Sequence, residues 1–159
     1  MGPNFLIYDI VKFIATKYPT SSISLNYSEA RISKNDQTKE VLVNECMEFF
    51  TYEIFGIYDG IDDCSWKVIY DILNIILRYE EVAPFGESDA CRDKIYALDA
   101  LCGGYSPCNT NHMGMIKFML KYLTEIGILE NGNNINEVTT SLLGKILLKL
   151  LSYKVSIKK

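Results

Sequence analysis

The side chains best suited to chemistry are one histidine and the cysteines that precede it. His112 is the only histidine of the chain, and Cys91, Cys102 and Cys108 lie before it. A thiol and an imidazole can act together as nucleophile and base. No Cys-x-x-Cys pair, metal-ligand spacing, phosphate-cradling glycine loop or helical carboxylate pair accompanies them. We therefore interpret His112 as a polar residue near a helix start, and we expect neither an enzyme nor a cofactor.

Length and composition indicate one globular domain over residues 1–159. Hydrophobic residues make up 48% of the chain and charged residues 23%, which is enough apolar material to build a core. The formal net charge is -4, so no general positive field exists to attract nucleic acid, and we expect no nucleic-acid partner. The cysteines are odd in number and most lie in apolar segments, which indicates a reducing, cytoplasmic location.

Hydrophobic residues recur at helical spacing in about six or seven segments, and no segment predicts a strand convincingly. A polar stretch at about residues 20–38 lacks this periodicity and is interpreted as a flexible loop. Asn134 and Glu137 have the spacing of a capping box ahead of the last helix. The apolar positions of the segments are Ile7, Ile10, Val11, Ile14 and Tyr18; Leu42, Cys46, Phe49, Phe50 and Ile54; Val68, Ile69, Ile72, Leu73, Ile75, Ile76 and Leu77; Ile95, Leu98 and Leu101; Ile116, Met119, Leu120, Leu123 and Ile126; and Leu143, Ile146, Leu147, Leu150 and Leu151.

The final segment is amphipathic and too interrupted by charge to cross a bilayer. A membrane span requires about 18 or more consecutive apolar residues, and Lys145 and Lys149 place charge on one face here. Two interpretations stay open for residues 145–159. The segment could pack into the core with its lysines in water, or it could lie on an anionic membrane surface.

Several of these segments carry motifs in a recognisable order. Phe5 to Tyr18 forms an aliphatic and aromatic first helix, and Leu42 to Phe49 has a leucine, a small residue, an acidic residue and a phenylalanine in helical register. Residues 93–97 (Asp-Lys-Ile-Tyr-Ala) precede Gly103, and residues 121–123 precede Glu-Asn-Gly at 130–132. In this order the motifs resemble the Bcl-2 family, and divergent viral members of it in particular.

The sequence also departs from the family pattern at positions that matter for binding. Met47 stands where the second-helix motif has its aspartate, and Lys94 replaces the arginine of the central-helix motif. Asp93 replaces the glycine of that motif. The resemblance implies an all-α, Bcl-2-like bundle of about seven helices around a central hydrophobic helix.

A groove that holds a partner's helix is what the resemblance implies for function. Phe49 would line it, Lys94 would pair with an aspartate of the ligand, Arg92 could substitute for Lys94, and Ile95 would follow in the groove. For the opposite wall we choose Ile69, Leu73 and Ile76 from their helical spacing. The alternative for each of these apolar residues is ordinary core, which is the commoner role of a helical apolar stripe.

Two functions follow from the resemblance. The first is an apoptosis inhibitor that sequesters pro-apoptotic BH-3 helix proteins, in the cytoplasm or at the mitochondrial outer surface of a host cell. The alternative is a viral inhibitor of innate immune signalling, of the NF-kappa-B or interferon type, that binds adaptors or kinases through another face. Self-association as a homodimer is compatible with either.

Overall fold

Most of the described chain is helical. A computed structural model describes residues 6–27, 38–82, 97–98 and 112–158. This confirms the predicted all-α class at a coarse level, while a seven-helix bundle around a central helix stays a prediction. The elements are α1 (Ile7–Lys17), α2 (Ser22–Asn26), α3 (Lys39–Phe49), a π-helical segment (Phe50–Ile54), α4 (Asp63–Val82), α5 (His112–Glu125), β1 (Leu129–Glu130), β2 (Thr139–Thr140) and α6 (Leu142–Lys158).

The described residues divide between two compact units. One contains Pro3–Asp62 together with Lys149–Lys159, and the other contains Asp63–Leu148. The first unit therefore holds α1 to α3 and the end of α6. The second holds α4, α5, both strands and the start of α6. Each is described by itself, and the single domain expected from the sequence stays a prediction.

In the first unit, α1 buries the stripe that the sequence predicts. Ile7, Ile10, Val11 and Ile14 are all buried, as their helical spacing requires. The start of the predicted loop at 20–38 is wrong, because Ser22–Asn26 is a short helix. The Ser21 hydroxyl accepts a hydrogen bond from the Ser24 amide at 3.1 Å, which caps that helix. Residues 28–37 of the predicted loop lie outside the described residues.

Helix α3 changes to π-helical geometry where its aromatic residues begin. Thr38 caps the helix by accepting a hydrogen bond from the Val41 amide at 3.3 Å. The Thr51 hydroxyl donates to the Met47 carbonyl at 2.8 Å, a side-chain bond that competes with the normal backbone ladder. The backbone amide of Phe55 then donates to the carbonyl of Phe50. The chain leaves the helix near Gly56, whose φ of 68° lies in the left-handed region.

In the second unit, α4 is the longest helix of the described chain. It spans 20 residues from Asp63. The carboxylate of Asp63 in its first turn is favoured by the partial positive charge at a helix N-terminus. Trp66 and Ile72 lie on its buried side, so α4 supplies one wall of this unit's core.

A β-hairpin that the sequence analysis did not predict separates α5 from α6. Leu129 pairs with Thr140 and Glu130 with Thr139 in antiparallel register. Gly127 (φ 88°) ends the helix, and Asn131 (φ 59°) begins the turn, both in the left-handed region. Each strand has only two residues, which is too short for an alternating pattern to appear in the sequence.

The predicted capping box at Asn134 and Glu137 is wrong, because both residues belong to the hairpin and no helix begins there. Asn134 lies inside the hairpin turn, where its side-chain oxygen accepts a hydrogen bond from the Asn136 amide at 3.0 Å. Helix α6 begins later, at Leu142. The Ser141 hydroxyl caps it by accepting from the Gly144 amide at 3.0 Å.

No helix within the described ranges combines the length and the apolarity that a membrane span requires.

Candidate functional site

Phe49, the groove residue predicted on α3, lies inside an aromatic cluster. Its side chain is 1% exposed. Its ring centroid is 5.0 Å from that of Tyr18 and 5.4 Å from that of Phe50, and these separations are typical of stabilising tilted and edge-on aromatic contacts. In this structure Phe49 is therefore a core residue and does not face solvent.

The three residues predicted for the opposite wall share one face of α4 and are also buried. Ile69 is 6% exposed, and Leu73 and Ile76 are fully buried. Their spacing places them on one helical face, as the sequence predicts. That face packs into the core and presents no open surface. Arg92, Lys94 and Ile95 lie outside the described residues.

The cysteine and histidine chemistry considered from the sequence falls largely outside the described chain. His112 is the first residue of α5, while Cys91, Cys102 and Cys108 are not described. Burial, reinforced by the charge of Glu45, raises the pKa of the Cys46 thiol to about 12. Cys64 is exposed. Within the described residues, no group of three or more histidine, cysteine or carboxylate side chains could hold a metal ion.

Helix α5 has one buried face and one exposed face that carries charged side chains and one aromatic ring. Ile116, Leu120 and Leu123 are buried, as the predicted stripe requires. On the opposite side Lys117, Phe118, Lys121 and Glu125 are exposed. Phe118 is 66% exposed, which is unusual for so large an apolar side chain beside two cations. This surface, Lys117–Phe118–Lys121, is called the α5 face below.

The hairpin is held close against α5 by a glycine in its turn. A methyl group at Gly132 would overlap the Thr124 hydroxyl and would lie 2.6 Å from the Leu120 carbonyl oxygen. The Thr124 hydroxyl itself donates to that carbonyl at 2.7 Å. Only glycine permits this approach, so the turn and the helix form one rigid unit.

A second set of contacts fixes the hairpin to the start of α6. The Ser141 amide donates to the Ile128 carbonyl at 3.1 Å. The Ser141 hydroxyl lies 2.6 Å from the Gly127 carbonyl oxygen and 2.9 Å from that of Ile128. Ser141 therefore makes hydrogen bonds both to the residues that follow α5 and to the first turn of α6.

Glu80 of α4 anchors the hairpin from the other side. Its carboxylate accepts a hydrogen bond from the backbone amide of Thr140. The Thr140 hydroxyl lies 3.4 Å from the second carboxylate oxygen. Because an ionised acceptor makes stronger hydrogen bonds than a neutral one, this pair fixes β2 against α4.

The hairpin projects polar side chains beside the α5 face. Asn131, Asn133, Asn134 and Asn136 are exposed, and their amide groups can both donate and accept hydrogen bonds. Glu130 and Glu137 are also exposed and add negative charge to the hairpin. The arrangement is a helix face with two lysines and one glutamate, and a hairpin rich in side-chain amides and carboxylates packs next to it.

Sequence reasoning missed this site although part of its signal was present. The predicted stripe of α5 already defined its buried face, so the opposite face could have been identified from the same periodicity. The hairpin carried a weaker signal. Asn131-Gly132 is a typical turn pair, but the flanking strands were too short to support it.

Comparisons with protein-family models, curated proteins and solved structures found no match to this chain.

Proposed function

We propose that the α5 face and the hairpin beside it bind double-stranded nucleic acid. The observation that carries this proposal is an exposed helix face with two lysines, against which a polar hairpin packs directly through Gly132. An α-helix fits the major groove of duplex DNA, and a rigidly attached hairpin can reach the backbone next to it. Catalysis has no part in the proposal.

Each component of the surface has a role in such binding. Lys117 and Lys121 supply charge for phosphate contacts, which give affinity without reading sequence. The exposed asparagine amides of the hairpin can bond to phosphates or to base edges. Phe118 can make apolar contact with a thymine methyl group or with sugar carbons.

The overall charge of the chain favours weak binding. Composition led us to expect no nucleic-acid partner, because the net charge is -4. Net charge describes the whole chain, whereas counterion release depends on the cations that meet phosphates locally. Two lysines predict a slope of log K against log salt of about -2, far shallower than that of strongly basic DNA-binding proteins.

Fluorescence anisotropy of a labelled random-sequence duplex tests the proposal. We expect binding at low salt that weakens as salt is added, and a double variant K117A/K121A that flattens the salt slope by about two units. The matched control K12A/K17A removes the same charge from exposed positions on α1 and should leave the slope unchanged. No anisotropy change at tens of micromolar protein in low salt would rule the function out.

The second candidate is the Bcl-2-like function that the sequence resemblance suggested. It is supported by the predominantly helical chain and by Ile69, Leu73 and Ile76, which share one face of α4 as expected. Because these side chains and Phe49 are buried, a ligand helix would have to open the core before it could bind. Of the two functions that the resemblance implies, the buried groove therefore favours the second, an immune-signalling inhibitor that binds adaptors or kinases through another face.

Peptide titration separates the two candidates. Calorimetry with a full panel of pro-apoptotic helices should give heat at tens of micromolar protein if the groove exists. F49A should weaken that binding, while K117A/K121A should leave it unaltered. A silent panel together with salt-dependent duplex binding would support the α5 face and would refute the groove.

A further inference from the structure

A second aromatic surface lies on the unit that contains α1 to α3, where the π-helical segment leads into its turn. The rings of Tyr52 and Tyr58 stack with centroids 6.5 Å apart and an interplanar angle of 13°. Tyr52 is 42% exposed and Tyr58 is 82% exposed. Two rings thus stack at the surface, and Tyr58 in particular leaves most of its side chain open to solvent.

The backbone explains how the pair is held. π-Helical turns are rare and occur frequently at functional sites, because they redirect side chains from a helix. Here the turn places Tyr52 toward the following loop, and the Ile57 amide donates to the Thr51 carbonyl at 2.9 Å to bring the loop back. Gly56 and Gly60 (φ 68° and 90°) allow the sharp reversal that positions Tyr58.

Each tyrosine of the pair is followed in the sequence by an exposed carboxylate. Glu53 follows Tyr52 and Asp59 follows Tyr58, and both side chains are exposed. An aromatic face attracts a cation through its quadrupole, and nearby carboxylates add long-range attraction for the same charge. The two effects select the same kind of ligand.

We propose that Tyr52 and Tyr58 form a docking platform for a partner protein segment that presents arginine or lysine side chains. The guanidinium or ammonium group lies on the exposed ring face, and Glu53 and Asp59 pair with it or with its neighbours. This surface shares no residue with the α5 face, so substitutions test the two independently.

The experiment uses the full-length protein and short glycine-serine peptides that carry three arginines or three glutamates. Ring-proton and amide shifts of Tyr52 and Tyr58 are followed by NMR during titration. We expect the arginine peptide to shift these signals with an apparent Kd at least about tenfold lower than that of the glutamate peptide. Equal effects of the two peptides, or shifts confined to other residues, would overturn the proposal.

Variants distinguish the contribution of the Tyr58 ring face to peptide binding from the contributions of its hydroxyl and of nearby charge. Y58A should weaken arginine-peptide binding by about threefold or more, whereas Y58F keeps the ring face and should stay within about twofold of the original protein. D59N should weaken it as well. F118A removes an exposed aromatic side chain from the other unit and should have no effect. An Y58F as weak as Y58A would refute the ring-face mechanism.

Thermal unfolding of each variant completes the test. Tyr58 is highly exposed, so its substitutions should leave the Tm unchanged. A loss of binding can then be attributed to the removed side chain and not to unfolding. Dilution of the protein without peptide provides the last check. Tyrosine signals that move on dilution would mean that a second copy of this chain covers the rings, which would overturn the assignment to a separate partner.

Discussion

Gly144 lies directly against the carbonyl oxygen of Ile128, so closely that no side chain fits between them. A methyl group at Gly144 would overlap that oxygen, and its position would also be 3.4 Å from the Ile128 side chain. The contact joins the first turn of α6 to the residue before β1. It therefore determines how closely the hairpin and the last helix approach each other.

We expect G144A to destabilise the protein by about 1 to 3 kcal/mol, because the obstructing atom belongs to the backbone and cannot rotate away. This loss of stability is the sum of two opposing contributions, the clash and the higher helix propensity of alanine. Alanine is favoured over glycine in a helix by up to about 1 kcal/mol, which offsets part of the clash. Urea unfolding followed by circular dichroism measures the difference.

Gly60 provides the control for G144A, because a side chain there meets a strained backbone conformation but no neighbouring atom. Gly60 has space around it but a φ of 90°, so G60A meets only backbone strain, at about 1 to 2 kcal/mol. Both variants should lose stability, but only G144A should increase amide exchange in β1 and the start of α6. Equal exchange in the two variants would show that the Gly144 contact does not hold the hairpin.

Glu80 is expected to stabilise the hairpin from α4. E80A leaves the Thr140 amide without its charged acceptor and should cost about 1 to 3 kcal/mol. E80Q keeps an oxygen acceptor and should cost less. Hydrogen exchange at Thr140 should rise most in E80A, and an unaltered exchange rate would contradict the anchoring role.

The two described free cysteines should differ in reactivity. Cys64 is exposed, whereas Cys46 is buried and its pKa is raised to about 12, so little reactive thiolate forms there near neutral pH. Iodoacetamide at pH 8, followed by peptide mass mapping, should label Cys64 and leave Cys46 unmodified until denaturant is added. Rapid labelling of native Cys46 would show that α3 opens readily.

The raised pKa of Cys46 also predicts a loss of stability at high pH. The folded-state pKa of about 12 lies above the ordinary value of 9.0, so the neutral thiol is favoured in the folded protein. Its contribution is present in full below pH 9.0 and is lost as pH rises toward about 12. The free energy of unfolding should therefore fall more steeply from pH 9 to 11 in the original protein than in C46A. C64A is the control and should follow the original slope.

Periodicity predicted the larger helices because each buries a continuous apolar stripe. The stripe of α1 is buried as predicted, and so are Leu42, Cys46 and Phe49 of α3 and Phe50 of the π-helical segment. The features that were missed depend on single residues or on contacts between distant parts of the sequence. Helix α2 depends on one serine cap, and the hairpin depends on two left-handed residues and on contacts that lie far apart in sequence, such as Glu80 with Thr140.

The candidate site could be predicted only in part for a related reason. Sequence spacing showed which residues share a face, and Ile69, Leu73 and Ile76 do share one. It could not show whether that face meets core or solvent, since the same apolar residues serve both purposes. The exposed Phe118 and Tyr58 were not singled out, because neither falls on one of the apolar stripes from which the helices were predicted.

Replacement of Phe49 by alanine distinguishes a core residue from a residue that lines a groove. As a core residue in contact with Tyr18 and Phe50, it should cost about 3 to 5 kcal/mol of stability when replaced by alanine. A groove residue exposed for a ligand would cost far less and would affect peptide binding instead. L25A removes a side chain that is 78% exposed and should be nearly neutral. Chemical denaturation of both variants decides the question, and an F49A protein as stable as L25A would contradict the core assignment.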